Sequence, residues 1–145
     1  SWGYGSAPGF GTGSRFVDLL QWTGTHDPAA YLSVPAAIDF MRANRWDEVR
    51  SDCHRLLSEA LVDLQALSGL EAPYSPESGF YSQMAIVRLP ASADLPGWKT
   101  RLYDDFKVEI PLVEWHGQKF ARISIQAYNT RADVEALLSG LRALM

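Results

Sequence analysis

Lys119-Phe-Ala-Arg-Ile-Ser-Ile-Gln-Ala-Tyr128 reads as a β-strand with two unlike faces. Successive side chains of a strand alternate, so Ala121, Ile123 and Ile125 share one face, and Phe120, Arg122, Ser124 and Gln126 share the other. The first face suits a covering layer of helices. The second carries a guanidinium on a rigid element. Just upstream, His116-Gly117-Gln118 reads as a hairpin turn. Val108 to Trp115 then returns as an extended neighbour, with Pro111 at an edge position or a break. Just downstream, the strand ends at Tyr128-Asn129. Thr130 caps a last helix with Asp133 as its capping-box partner. Val134, Leu137, Leu138, Leu141 and Leu144 form that helix's apolar stripe.

Further out, Gln83 to Leu89 is apolar and branched and is stopped by Pro90, the signature of a strand. A helix is expected from about Gly97 to Phe106, with Trp98, Leu102, Tyr103 and Phe106 on one side. The Pro-, Ser- and Gly-rich run 70–82 is a loop. The longest periodic signal precedes it. Trp46, Val49, Cys53, Leu56, Leu57, Ala60, Leu61, Leu64 and Leu67 recur at three- and four-residue spacing, opposite Glu48, Arg50, Asp52, Arg55, Glu59 and Asp63. This predicts an amphipathic helix of about six turns that Gly69 ends. Cys53 lies on its apolar stripe, as a buried inert thiol. His54 beside it is expected to face solvent. The pattern is an α+β fold: a small, mostly antiparallel sheet of three to four strands with helices 46–68 and 130–144 on one face.

The N-terminal third reads differently. Residues 1–15 hold five glycines with Trp2, Tyr4 and Phe10 between them. Neither a Walker lysine nor a preceding strand accompanies them, so no phosphate-loop or dinucleotide fingerprint is present. A segment packed against something outside itself is expected. Phe16 to Trp22 is short and apolar, strand or helical turn. In Trp22-Thr-Gly-Thr-His-Asp-Pro28, Asp27 is expected to cap a helix with Pro28 in its first position. This is either an ordinary loop-to-helix join or a place where Gly24 N–H and the Thr25 hydroxyl hold a phosphate. The helix should break near Ser33-Val34 at Pro35, resume to Ala43, and stop at a left-handed Asn44. The division expected is a lead-in and domain junction over 1–26 and a small α+β domain over 27–145.

The 145 residues allow one domain with a real core. A formal charge of −4 and scattered basic residues argue against nucleic acid as a partner. The single cysteine permits no internal disulfide and fits a reducing, cytoplasmic setting. No apolar run is long enough for a membrane span. His26, His54, His116 and Cys53 form no metal-ligand spacing. Glu109 and Glu114 flank a proline in an extended segment and read as solvated carboxylates. No Gly-x-Ser-x-Gly elbow occurs. The opening at Ser1-Trp2, without methionine, suggests a piece of something longer.

The stretches Ser14-Arg-Phe16, Trp22 to Pro28, Val34-Pro-Ala-Ala-Ile38 and Ala121 to Asn129, followed by Asp133, together resemble the C-terminal part of class V aminotransferase-like enzymes. The isopenicillin N epimerase-like branch is the nearest in kind. The resemblance implies a fold-type I pyridoxal-phosphate enzyme, a homodimer acting on an amino acid. It implies a larger N-terminal domain that supplies the cofactor-bearing lysine and the acid at the pyridine nitrogen. It gives Gly24 and Thr25 to the cofactor phosphate of the neighbouring subunit and Arg122 to the substrate α-carboxylate. His26 stands where relatives often carry arginine. Lys99, Lys107 and Lys119 do not match the cofactor lysine, so no catalytic residue is assigned, and the chain alone should be inert and bind no cofactor tightly. The rival reading is a self-contained, non-catalytic binding or oligomerisation module.

Overall fold

The computed structural model describes residues 13–20, 25–75 and 78–145. Expectations for the Gly-rich run 1–12 and for Gly24 lie outside the described residues. The chain forms two compact units, residues 1–44 and 45–145.

The first unit holds α1 (Arg15–Leu20), α2 (Ala29–Leu32) and α3 (Val34–Ala43). The described part of the run Phe16 to Trp22, as far as Leu20, is thus helical. Asp27 is not the N-cap but stands one residue before it, its Oδ1 accepting the Ala29 N–H at 2.9 Å. Pro28 sits at the cap itself rather than one position inside. The break falls at Ser33, where Pro35 two residues on removes a donor from the ladder. Asn44 is not the left-handed residue (φ −101°); Arg45 is (φ 49°). The Asn44 side chain instead donates to the Phe40 carbonyl at 2.8 Å, which closes the helix end and passes the turn to the next residue.

The second unit begins with α4 (Trp46–Ser68), which Gly69 ends at φ 65°. A left-handed end of this kind is the conformation that glycine adopts without a Cβ penalty. Then follow β1 (Met84–Leu89), α5 (Leu95–Phe106), β2 (Leu112–Trp115), β3 (Gln118–Ser124) and α6 (Arg131–Leu144). The sheet is antiparallel with order β1-β3-β2. His116 and Gly117 both have positive φ (48° and 71°), the geometry of a tight two-residue hairpin.

The core lies on one face of this sheet. Ala85, Val87 and Leu89 of β1 and Ala121 and Ile123 of β3 meet Leu57, Ala60 and Leu64 of α4 and Val134, Leu138 and Leu141 of α6. The capping box of α6 forms, with the Thr130 N–H donating to Asp133 Oδ2 at 2.7 Å. Arg131, the first residue of α6, bridges Glu135 and Asp63 of α4. The hydrogen bonds it donates to Glu135 and then Asp63 hold its guanidinium above its ordinary pKa.

Three local expectations fail. β3 stops at Ser124 rather than Tyr128, because Gln126 and Asn129 bond to each other in a turn. The segment before Pro111 is not strand; β2 starts only after it. Tyr103 is exposed while Leu102 is fully buried, since adjacent residues of a helix point about 100° apart.

Candidate functional site on the uncovered sheet face

The face of the sheet opposite the helices carries Met84, Ile86 and Arg88 from β1 and Phe120, Arg122 and Ser124 from β3. The register pairs them: Met84 with Ser124, Ile86 with Arg122, and Arg88 with Phe120. Val113 and Trp115 of β2 fall on the same side, opposite Phe120 and Gln118. Trp115 is 68% exposed and Met84 53%. This face is apolar with two guanidinium groups set in it.

Arg122 sits as the alternation predicts. Its backbone N–H donates to the Pro111 carbonyl at 2.9 Å, which ties β3 to the segment before β2. Its guanidinium has no hydrogen bond or ion pair with any described residue. The residue also borders a groove of about 230 Å³ that reaches the helix side, lined by Lys107, Glu109 and Asn129 and by Ala60, Asp133 and Leu137 of the helices. A planar fork held by a strand, with donors to spare, suits bidentate capture of a carboxylate.

Thr25 belongs to the first unit and Arg122 to the second. Thr25 is exposed, and its hydroxyl has no partner among the described residues. His26 lies edge-on to Tyr31, with ring centroids 6.1 Å apart.

The three lysines are accounted for. Lys99 is exposed on α5. Lys107 ends that helix and donates to the Asp104 carbonyl at 2.8 Å. Lys119 donates to the carbonyls of Ala91 and Ala93 at 2.7 Å each, and so pins the start of β3 to the loop between β1 and α5. A lysine engaged this way is structural. Among the described residues no cluster of three His, Cys, Asp or Glu could hold a metal ion, and no helix is long and apolar enough to cross a membrane.

Two features went unread in the sequence. His54 is not simply solvated: its Nδ1 lies 2.8 Å from the Ser82 carbonyl, and its ring packs against Tyr81 at 5.1 Å. Tyr81 in turn meets Tyr74 at 5.6 Å and bonds the Ser58 hydroxyl. This stack fastens Tyr74, Tyr81 and Ser82 to α4, and the Tyr74 hydroxyl accepts the Ile86 N–H of β1 at 2.7 Å. The second feature is Arg88, whose Nε is buried without an acceptor. The β1 alternation, with Ala85, Val87 and Leu89 inward, could have placed it on the outward face, while its nearness to Arg122 comes from the register.

Among known proteins, isopenicillin N epimerase of Amycolatopsis lactamdurans is 32% identical over 152 residues, covering 99% of this chain and 38% of its own length. The chain belongs to the isopenicillin N epimerase-like group of class V aminotransferase-like proteins. It corresponds to their C-terminal domain. Isopenicillin N epimerase of Streptomyces clavuligerus is 29% identical across 97% of the chain. The putative L-cysteine desulfhydrase 2 of Oryza sativa subsp. japonica is 31% identical across 86%. The chain spans only about a third of the length of these curated relatives (38%, 34% and 31%). No family model matches it.

Proposed function

We propose that this chain is the substrate-orienting C-terminal domain of a pyridoxal-phosphate enzyme acting on an amino acid. It would work in the cytoplasm with a larger N-terminal domain in a homodimer. The reaction is epimerisation, transamination or carbon–sulfur cleavage. The relatives' names, an epimerase and a desulfhydrase, support two of these. The observation that carries the reading is the unpaired Arg122 guanidinium on the uncovered sheet face. Arg122 holds the substrate's α-carboxylate and so sets which bond at the α-carbon stands ready to break.

Pyridoxal phosphate, when bound, supplies the electron sink for that chemistry. Thr25, and Gly24 before it, offer their hydroxyl and N–H to the phosphate of the neighbouring subunit's cofactor. The exposed, unpartnered Thr25 hydroxyl fits that use. Asp27, engaged with Ala29, leaves the preceding loop as the phosphate's approach. None of Lys99, Lys107 and Lys119 lies in a setting suited to carry the cofactor. That lysine therefore belongs to the N-terminal domain, and this chain by itself is inert.

The test is a pyridoxal-phosphate titration of the chain, reduced with borohydride and read by intact mass and peptide mapping. The expected result is no saturable adduct, with only slow, scattered lysine labelling. One fast, stoichiometric adduct on a single lysine would overturn the placement of the chemistry. In the complete enzyme, Arg122→Lys keeps the charge and loses the fork. It should lower kcat/KM by roughly 30-fold, equivalent to about 2 kcal/mol of charge-assisted hydrogen bonding.

A further inference from the structure

We propose that Arg88 and Arg122 together form a two-arginine site for a substrate that carries two carboxylates. The proposal rests on the reading of Arg122 given above and extends it to the substrate class. Arg88 lies on the same uncovered face. Since Ile86 pairs with Arg122 and Arg88 with Phe120, the two arginines are diagonal neighbours across the β1–β3 ladder. In an antiparallel pair such positions stand about 7–8 Å apart.

Arg42, Arg45, Arg50, Arg55, Arg101 and Arg131 each face a carboxylate. Arg88, Arg122 and Arg142 face none among the described residues, and of these three only Arg88 and Arg122 share a sheet face. Glu71 borders the same small groove as Arg88 yet makes no ion pair with it. Arg88 Nε is buried without an acceptor, and a buried donor left unmade is costly enough to demand an explanation. Two uncompensated cations side by side raise that cost. Anionic oxygen between them removes both penalties.

The floor of the site suits this. Phe120, the cross-strand partner of Arg88, is only 5% exposed although it lies on the uncovered face. An apolar floor excludes water and strengthens charge-assisted bonds. In an extended five-carbon dicarboxylate the carboxyl carbons are about 5 Å apart from standard bond lengths. Guanidinium forks rooted at diagonal positions of the ladder have the reach to take the two ends of such a ligand. One fork takes the α-carboxylate and the other the distal carboxylate, so Arg88 selects an acidic side chain.

The probes are glutarate and butyrate, titrated at constant ionic strength into the chain while the arginine Nε–H signals are followed by NMR. Expected are shifts of Arg88 and Arg122 on one saturation curve, with glutarate half-saturating at about ten-fold lower concentration than butyrate. Arg88→Gln should bring the two ligands within two-fold of each other. The wild-type comparison decides even if that variant misfolds. If Arg122 responds to both ligands equally and Arg88 stays silent, the inference falls and the proposed function stands. If neither responds, the carboxylate role of Arg122 falls as well. Equal movement of Arg142 would mark general screening and would also overturn the site.

Discussion

The two units of this chain use the same kinds of residue to opposite ends. In residues 45–145 the apolar side chains close on one another, and every buried apolar side chain among the described residues lies there. In residues 1–44, α2 and α3 bury none of theirs. Phe16 (70% exposed), Tyr31 (71%), Leu32 (73%) and Phe40 (58%) all stand open. Yet α3, with Ile38, Phe40 and Met41 against Asp39 and Arg42, has the composition of a helix that expects cover. An apolar helical face states a demand for a partner; it does not supply one.

The comparison breaks first, if it breaks, in the centre of α4. Leu57 is fully buried, so Leu57→Ala should cost about 2–5 kcal/mol in urea unfolding, the transfer and cavity cost of such a site. A loss under about 1 kcal/mol would mean that the second unit is not held by this core. Next in size is the α5–α6 contact. A Cβ at Gly140 would come within 2.6 Å of Leu102 Cδ2 and 3.2 Å of Phe106 Cγ. Helix propensity favours alanine there by about 1 kcal/mol, and overpacking opposes it by about 1–3. Gly140→Ala should therefore lower stability by roughly 1 kcal/mol, a net of those two effects. A stabilised variant would show spare room between the two helices.

Thr130→Ala removes half of the α6 capping box and should cost about 1 kcal/mol by the same measurement. The smallest effect belongs to the first unit. Leu32→Ser should change stability by less than about 0.5 kcal/mol while reducing the binding of an apolar dye. A destabilisation above about 1 kcal/mol would show that α2 is covered in solution, and the contrast between the units would dissolve.

Legibility followed the same divide. The long helix was readable to its ends, Trp46 and Ser68, because nine periodic apolar positions and a stop glycine agree. The final helix was equally plain through Thr130, Asp133 and its leucines. The sheet face of Arg122 followed from alternation alone. Errors came where a distant residue decides the outcome. Solvent exposure was expected for His54, but Ser82 and Tyr81, 28 and 27 residues away, give it partners. Tyr103 was placed with Leu102 by type, whereas helix geometry turns it outward. For the site, Arg122 and Thr25 could be named from residue type and resemblance. Arg88 could not, since nothing in Val87-Arg-Leu89 says that its Nε is buried without an acceptor.

By itself the sequence determined the types of the longer elements, the inward and outward faces of β3, the capping of α6 and the absence of an internal disulfide. These depend on near neighbours: side-chain alternation, helical period, local hydrogen bonds and a count of cysteines. Only the tertiary structure decided that β3 lies between β1 and β2, that Arg88 stands diagonal to Arg122, that Lys119 is tied to Ala91 and Ala93, and that the apolar faces of α2 and α3 stay open. Strand order and register come from non-local pairing and burial, in which residues far apart in the chain compete for the same partners. No window of local sequence contains that competition.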